Sequence, residues 1–156
     1  RSSRHLMPDI DHLTAAEVID HLGLEYLEGE GIWISLIWRS EAGSAIYALL
    51  TREDFSALHR LREDEFWTHV AGASIDMLQL HPDGRSEQLR IGHATDDVLH
   101  ALVPSGSWQG SSTSGDWALV TCALAPPFSG FELADAGTDL SAWPDSAPRI
   151  RELIRG

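Results

Sequence analysis

A chain of 156 residues with 43% hydrophobic composition is long enough to bury one core and too short for two domains. Its formal net charge is -13 and all eleven basic residues are arginine, so the surface repels phosphate backbones and anionic headgroups, which argues against nucleic-acid and membrane binding. A single cysteine, Cys122, cannot form an intramolecular disulfide, and no apolar stretch reaches the length of a membrane span; a reducing, cytoplasmic setting is expected. Residues 1–6 read as a leading tail, with Met7 as the natural start and 7–156 as a single domain.

Taken in order, Thr14-Ala15-Ala16-Glu17 has the form of a capping box, with Leu13 and Val18 in the staple positions and Gly23 as a left-handed stop. Val18, Ile19 and Leu22 share one face, which predicts a short helix packed outside a sheet. From Gly31 the period becomes strand-like. Apolar runs over 32–38 and 45–50, joined by Arg39-Ser40-Glu41-Ala42-Gly43-Ser44, predict a hairpin. A second hairpin is predicted over 74–80 and 86–91 around His81-Pro82-Asp83-Gly84, which places His81 in a solvent-facing turn. Further strands are expected over 99–103, from Gln109 onward and over 117–124. After Pro126-Pro127 the composition shifts to Gly, Ala, Asp and Ser, an extended covering segment, before a short helix opened by Ser146-Ala147-Pro148. Many short strands at regular spacing predict an antiparallel β-barrel with peripheral helices at both ends.

The stretch of most chemical interest is 54–72. His59 and Glu65, separated by Arg62-Glu63-Asp64, which reads as a solvated turn shaped by Asp64, are expected at the inner ends of two neighbouring strands. Beyond that turn Glu65, Trp67 and His69 alternate with Phe66, Thr68 and Val70, because strand side chains repeat every two residues. One face therefore carries a carboxylate, an indole and an imidazole. Cys122 lies in an apolar run with no adjacent base and reads as a small buried hydrophobe.

His59, Glu65 and Gly72 resemble the first motif of the cupins, in which a His, a second His two residues on, a Glu and a later Gly recur; here Leu61 holds the second His position. Pro104-Ser105-Gly106-Ser107-Trp108-Gln109 resembles the second motif, with Gln109 where the third metal-binding His would stand. Glu30-Gly31, Ser44-Ala45-Ile46-Tyr47, Phe55-Ser56-Ala57, Asp64-Glu65-Phe66-Trp67 and the segment from Cys122 to Pro126 extend the likeness. As a set they resemble the DUF985 (cupin type 5) family from about Ala15 to the C-terminal helix. The resemblance implies an all-β cupin jelly-roll barrel (a double-stranded β-helix), a small-molecule pocket at its centre and a homodimer.

Three uses of that pocket are open. His59, Glu65 and Gln109 could hold one divalent metal (Mn, Fe, Ni or Zn), or the pocket could be metal-free, since Leu61 donates nothing and Gln109 is a weak neutral ligand; His69 shares the parity of Glu65 and could compensate. His59 and Glu65 could instead share a proton as the acid/base pair of an isomerase or epimerase, with Tyr47 as hydroxyl donor. The pocket could also bind without catalysis, with Trp33, Tyr47, Trp67, His69 and Trp108 as candidate walls and Gln109 on the floor. DUF985 members carry Arg and Glu in the strand after Glu-Gly, where this chain has Ser35 and Leu36. A more apolar cavity and a small, rather apolar ligand are therefore expected.

Overall fold

The computed structural model describes residues 9–155; the leading segment 1–6 and the Met7 start lie outside them. The capping box closes, with Glu17 N–H donating to Thr14 Oγ1 at 3.2 Å and Thr14 N–H donating to the Glu17 carboxylate at 3.0 Å, and opens α1 (Ala15–Leu22). Gly23, at φ 64, ends it.

Eleven strands follow, β1 (Glu25–Tyr26), β2 (Trp33–Arg39), β3 (Ser44–Thr51), β4 (Ser56–Arg60), β5 (Asp64–Gly72), β6 (Ile75–Leu80), β7 (Ser86–Ile91), β8 (His100–Val103), β9 (Trp108–Ser112), β10 (Trp117–Ala125) and β11 (Glu132–Leu133), and then α2 (Ala147–Glu152). They form a six-stranded sheet in the order β1-β2-β3-β10-β5-β8 and a five-stranded sheet in the order β11-β4-β9-β6-β7, each ladder antiparallel. The two face each other as the expected barrel.

Three apolar layers hold this arrangement. Between the sheets lie Ile32, Ala48, Leu50 and Trp67 from one side and Ile75, Met77 and Ile91 from the other. Outside the six-stranded sheet, Val18 of α1 meets Leu49, Trp117 and Leu119. Outside the five-stranded sheet, Leu58, Leu80 and Trp108 meet Leu140, Ile150 and Leu153 of the C-terminal segment. Both sheets are thus covered on both faces over much of their area. Apolar side chains consequently appear at both parities of β2 and β3, and both parities of β9 are buried, so alternation alone does not say which parity faces the barrel.

β4 and β5 are not neighbours, contrary to the expectation from sequence. β4 pairs with β9 and β11, and β5 pairs with β10 and β8, so His59 and Glu65 lie in opposite sheets and meet across the barrel. The turn between them carries the chain from one sheet to the other. Glu63 in that turn is buried rather than solvated, its carboxylate accepting from Ser129 Oγ at 2.6 Å, while Asp64 holds the turn by accepting from Ser105 N–H at 2.8 Å.

Candidate functional site

A cavity of about 250 Å³ lies between the sheets. Its wall is apolar, made by Ile32, Ile34 and Leu36 on one side, Cys122 and Leu124 on another, and Phe131 of the covering segment. Leu36 is 65% exposed and stands at the mouth. The apolar cavity expected from the departures at Ser35 and Leu36 is what β2 builds, with Leu36 facing in and Ser35 paired beside Tyr47 in the register to β3. Against this wall sit three titratable side chains, Glu30, His59 and Glu65, all buried.

Local chemistry fixes each of them. The ring of His59 is oriented by a 2.7 Å contact from Nδ1 to the Ala57 carbonyl. A carbonyl can only accept, so Nδ1 carries a proton and Nε2 is the nitrogen left for the site. Nε2 is 3.6 Å from Glu30 Oε1, an ion-pair distance beyond hydrogen-bond reach. Glu65 Oε1 accepts two hydrogen bonds, from Trp67 Nε1 at 3.0 Å and from Gln109 Nε2 at 2.8 Å, whereas Oε2 has no partner among the described residues. Burial pushes the Glu65 carboxyl above its ordinary range; the nearby His59 opposes this, Glu30 adds to it, and the two donors oppose it more weakly. The Cys122 thiol is pushed well up by burial and by the Glu65 and Glu30 carboxylates, so it remains a neutral, unreactive wall residue.

Glu30 is the member of this group that the sequence reading did not assign to the site. It lies in the loop between β1 and β2 and is pinned to β4 twice: its carbonyl accepts from Ala57 N–H at 2.9 Å and its Oε2 accepts from Ser56 Oγ at 2.7 Å. From the other end of the chain, Arg155 donates to the Phe55 carbonyl at 2.6 Å and lies over the Phe55 ring, with its guanidinium against Gly31. Gly31 has φ 91, and a Cβ there would strike that guanidinium, so the Gly-Glu-Gly sequence is the backbone requirement that lets this carboxylate enter the barrel. A carboxylate between two glycines at the entrance to an apolar strand was the available signal.

The other sequence-predicted residues divide. Trp67 lines the cavity, and Gln109 reaches the same cluster from β9, adjacent to His59 in register. Tyr47 and Trp33 do not: they have the opposite parity, pack with the α1 layer, and Trp33 Nε1 donates to Asp54 at 2.9 Å. Trp108 faces the C-terminal segment, with Arg60 over its ring at 4.5 Å. His69 shares the inward parity of Glu65 but lies farther along β5, beside a register shift, where its Nδ1 is 2.7 Å from His93 Nδ1 and its Nε2 donates to the Ala73 carbonyl at 2.7 Å. It does not line the cavity. His81 is buried rather than solvent-facing, held between Ser107 Oγ at 2.8 Å and Glu87 at 2.9 Å beneath Trp143. A larger hollow of about 940 Å³ runs between His12, Val70 and Trp117, but it is an open groove, and volume there reflects access to water rather than a gathering of buried polar groups.

A divalent ion would need His59 Nε2, Glu65 and at least one more donor. Leu61 offers none, Gln109 turns its amide nitrogen toward Glu65, and among the described residues no three His, Cys, Asp or Glu side chains converge as a metal-binding group. The residues in this arrangement do not fit the divalent metal that the sequence left open for His59, Glu65 and Gln109.

A family profile described as "Cupin superfamily (DUF985)" matches residues 16–136. A structurally characterised protein from Shewanella oneidensis is 30% identical, with a TM-score of 0.84 over 92% of this chain and 98% of its own. A hypothetical protein from Leishmania major is 26% identical, with a TM-score of 0.82 over 92% of this chain and 100% of its own. Oxalate decarboxylase from Lactobacillus farciminis, solved as a formate complex, is 10% identical with a TM-score of 0.57 over 74% of this chain and 34% of its own, a likeness of fold alone. Curated proteins give no significant match. With the family profile spanning most of the chain and two full-length structural relatives sharing its barrel, this chain belongs to the DUF985 family of the cupin superfamily.

Proposed function

We propose that this cupin binds a small, mainly apolar molecule in the cavity between its sheets, with the polar end of the molecule on Glu30, His59 and Glu65. The observation that carries the reading is Glu65, a buried carboxylate set in an apolar wall with one oxygen accepting two hydrogen bonds and the other accepting none. That second oxygen borders the cavity and is free to accept a donor from a bound molecule. The cavity, at about 250 Å³, is just below the usual range of ligand sites, about 300–1,000 Å³, so the molecule is small.

A thermal-shift screen of small apolar compounds with one polar group tests this. Stabilising compounds are expected for the wild type and none for Leu36→Trp, which plugs the mouth from an exposed position and should leave the fold's own Tm within about 2 °C. Compounds that stabilise Leu36→Trp as well as the wild type would place binding elsewhere and end this reading.

A second reading, proton transfer without a metal, is favoured by one feature: His59 Nε2 and Glu65 Oε2 both lack hydrogen-bond partners and flank the same space. In it, a proton leaves a carbon of the bound molecule for one of these atoms and returns to another face. Solvent deuterium entering a hit compound in the presence of wild type but not of His59→Ala would separate catalysis from binding.

A further inference from the structure

We infer that the ligand's polar end is a primary ammonium group, so that the cavity takes a small apolar amine. This rests on the cavity being a ligand site, and it follows from a full account of donors and acceptors on its floor. Each side-chain donor seen near the floor already makes one hydrogen bond. Trp67 Nε1 and Gln109 Nε2 both serve Glu65 Oε1, Ser56 Oγ serves Glu30 Oε2, and His59 Nδ1 serves the Ala57 carbonyl. What remains is Glu30 Oε1, Glu65 Oε2, His59 Nε2 and the buried Gln109 Oε1, which has no partner among the described residues. Ionised carboxylate oxygens and an amide oxygen only accept. The floor is therefore a set of acceptors awaiting a donor.

Candidate head groups can be ranked by what they return to that set. A carboxylate would meet two carboxylates in an apolar surround and be repelled. A hydrocarbon leaves these acceptors unmet, and an alcohol supplies one donor. An ammonium supplies three donors and the positive charge that buried carboxylates require. The cationic side chain at the rim, Arg39, is exposed and donates to the Phe128 carbonyl at 3.0 Å, so it does not neutralise the floor. The other titratable group facing the space, Cys122, is a neutral thiol. The hydrocarbon tail would lie on Ile32, Ile34 and Leu124, with the Phe131 ring available beside the charge.

Calorimetric titration of the full chain with n-pentylamine, pentan-1-ol and pentanoate tests the inference, because the three share a skeleton and differ in the head group. The expected result is pentylamine binding at least about tenfold tighter than pentan-1-ol, with no binding of pentanoate. Glu65→Gln and, independently, Glu30→Gln should each reduce pentylamine affinity by at least about fivefold, and by a larger factor than they reduce pentan-1-ol affinity. Each variant's folding is checked by its unfolding transition. Binding of pentan-1-ol or pentanoate as tight as that of pentylamine would overturn the ammonium inference and leave the cavity reading standing. Failure of all three to bind the wild type would overturn both.

Discussion

Replacing Trp67 by alanine lowers the stability of the fold by about 3–5 kcal/mol, a loss of about 6–20 °C in Tm for a chain of this length. Trp67 is 1% exposed, the bulkiest of the fully buried side chains, and joins the apolar layer between the sheets. Its removal merges a new void with a cavity that already exists, so neighbours cannot close on it, and it strips one of the two donors from Glu65 Oε1. Trp67→Phe separates the two effects. It keeps most of the ring in place and loses the N–H, so about 1 kcal/mol is expected. Chemical denaturation of both variants provides the check; a cost below about 1 kcal/mol for Trp67→Ala would mean that the indole is not a structural wall of the cavity.

Glu65→Gln moves stability the other way. Burial raises the carboxyl pKa of Glu65 in the folded chain above its ordinary value of 4.5, so the folded state binds this proton more tightly than the unfolded state does. The resulting contribution to stability is fully present below that ordinary value and is lost as pH rises through the folded-state value. Gln cannot ionise and can still accept from Trp67 and Gln109 through its amide oxygen. The variant should therefore match the wild type near pH 4 and exceed it near pH 8, by at least about 2 °C in Tm, with the difference growing with pH between. A variant less stable than the wild type at pH 8 would show that the ionised carboxylate is fully satisfied within the protein. Gained stability with lost amine affinity is the expected signature of a residue kept for binding rather than for folding.

These two residues were legible in the sequence because they belong to one strand with a clear period. Glu65 and Trp67 share a parity, and the His59-Glu65-Gly72 spacing pointed to the barrel and to this end of it. The same rule misled at Tyr47, Trp33 and Trp108. In β2 and β3 both parities are apolar and in β9 both are buried, since α1 covers one sheet from outside and the C-terminal segment covers the other, and an aromatic residue fits either layer equally well. His69 shows a different limit. Its parity is inward as expected, but strand parity says nothing about depth along the barrel, and its ring is held by His93 and Ala73 away from the cavity. Glu30 was hidden because its entry depends on a loop closed by Arg155 from the far end of the chain, a contact across more than a hundred residues that no local pattern encodes. His81 was misplaced for a similar reason: its turn composition is that of a surface loop, and Trp143 covers it only in the folded chain.

The six tryptophans give six indole N–H signals, and one of them, Trp67, both lines the cavity and hydrogen-bonds the carboxylate on its floor. Trp33, Trp117 and Trp143 donate instead to Asp54, Leu13 and His81, outside it. Titrating the ¹⁵N-labelled chain with n-pentylamine while following these assigned resonances is the most direct test of the central claim. Binding in the cavity predicts a saturable shift of the Trp67 indole signal with those of Trp33, Trp117 and Trp143 unchanged. A Trp67 signal that stays fixed while another indole shifts would contradict it.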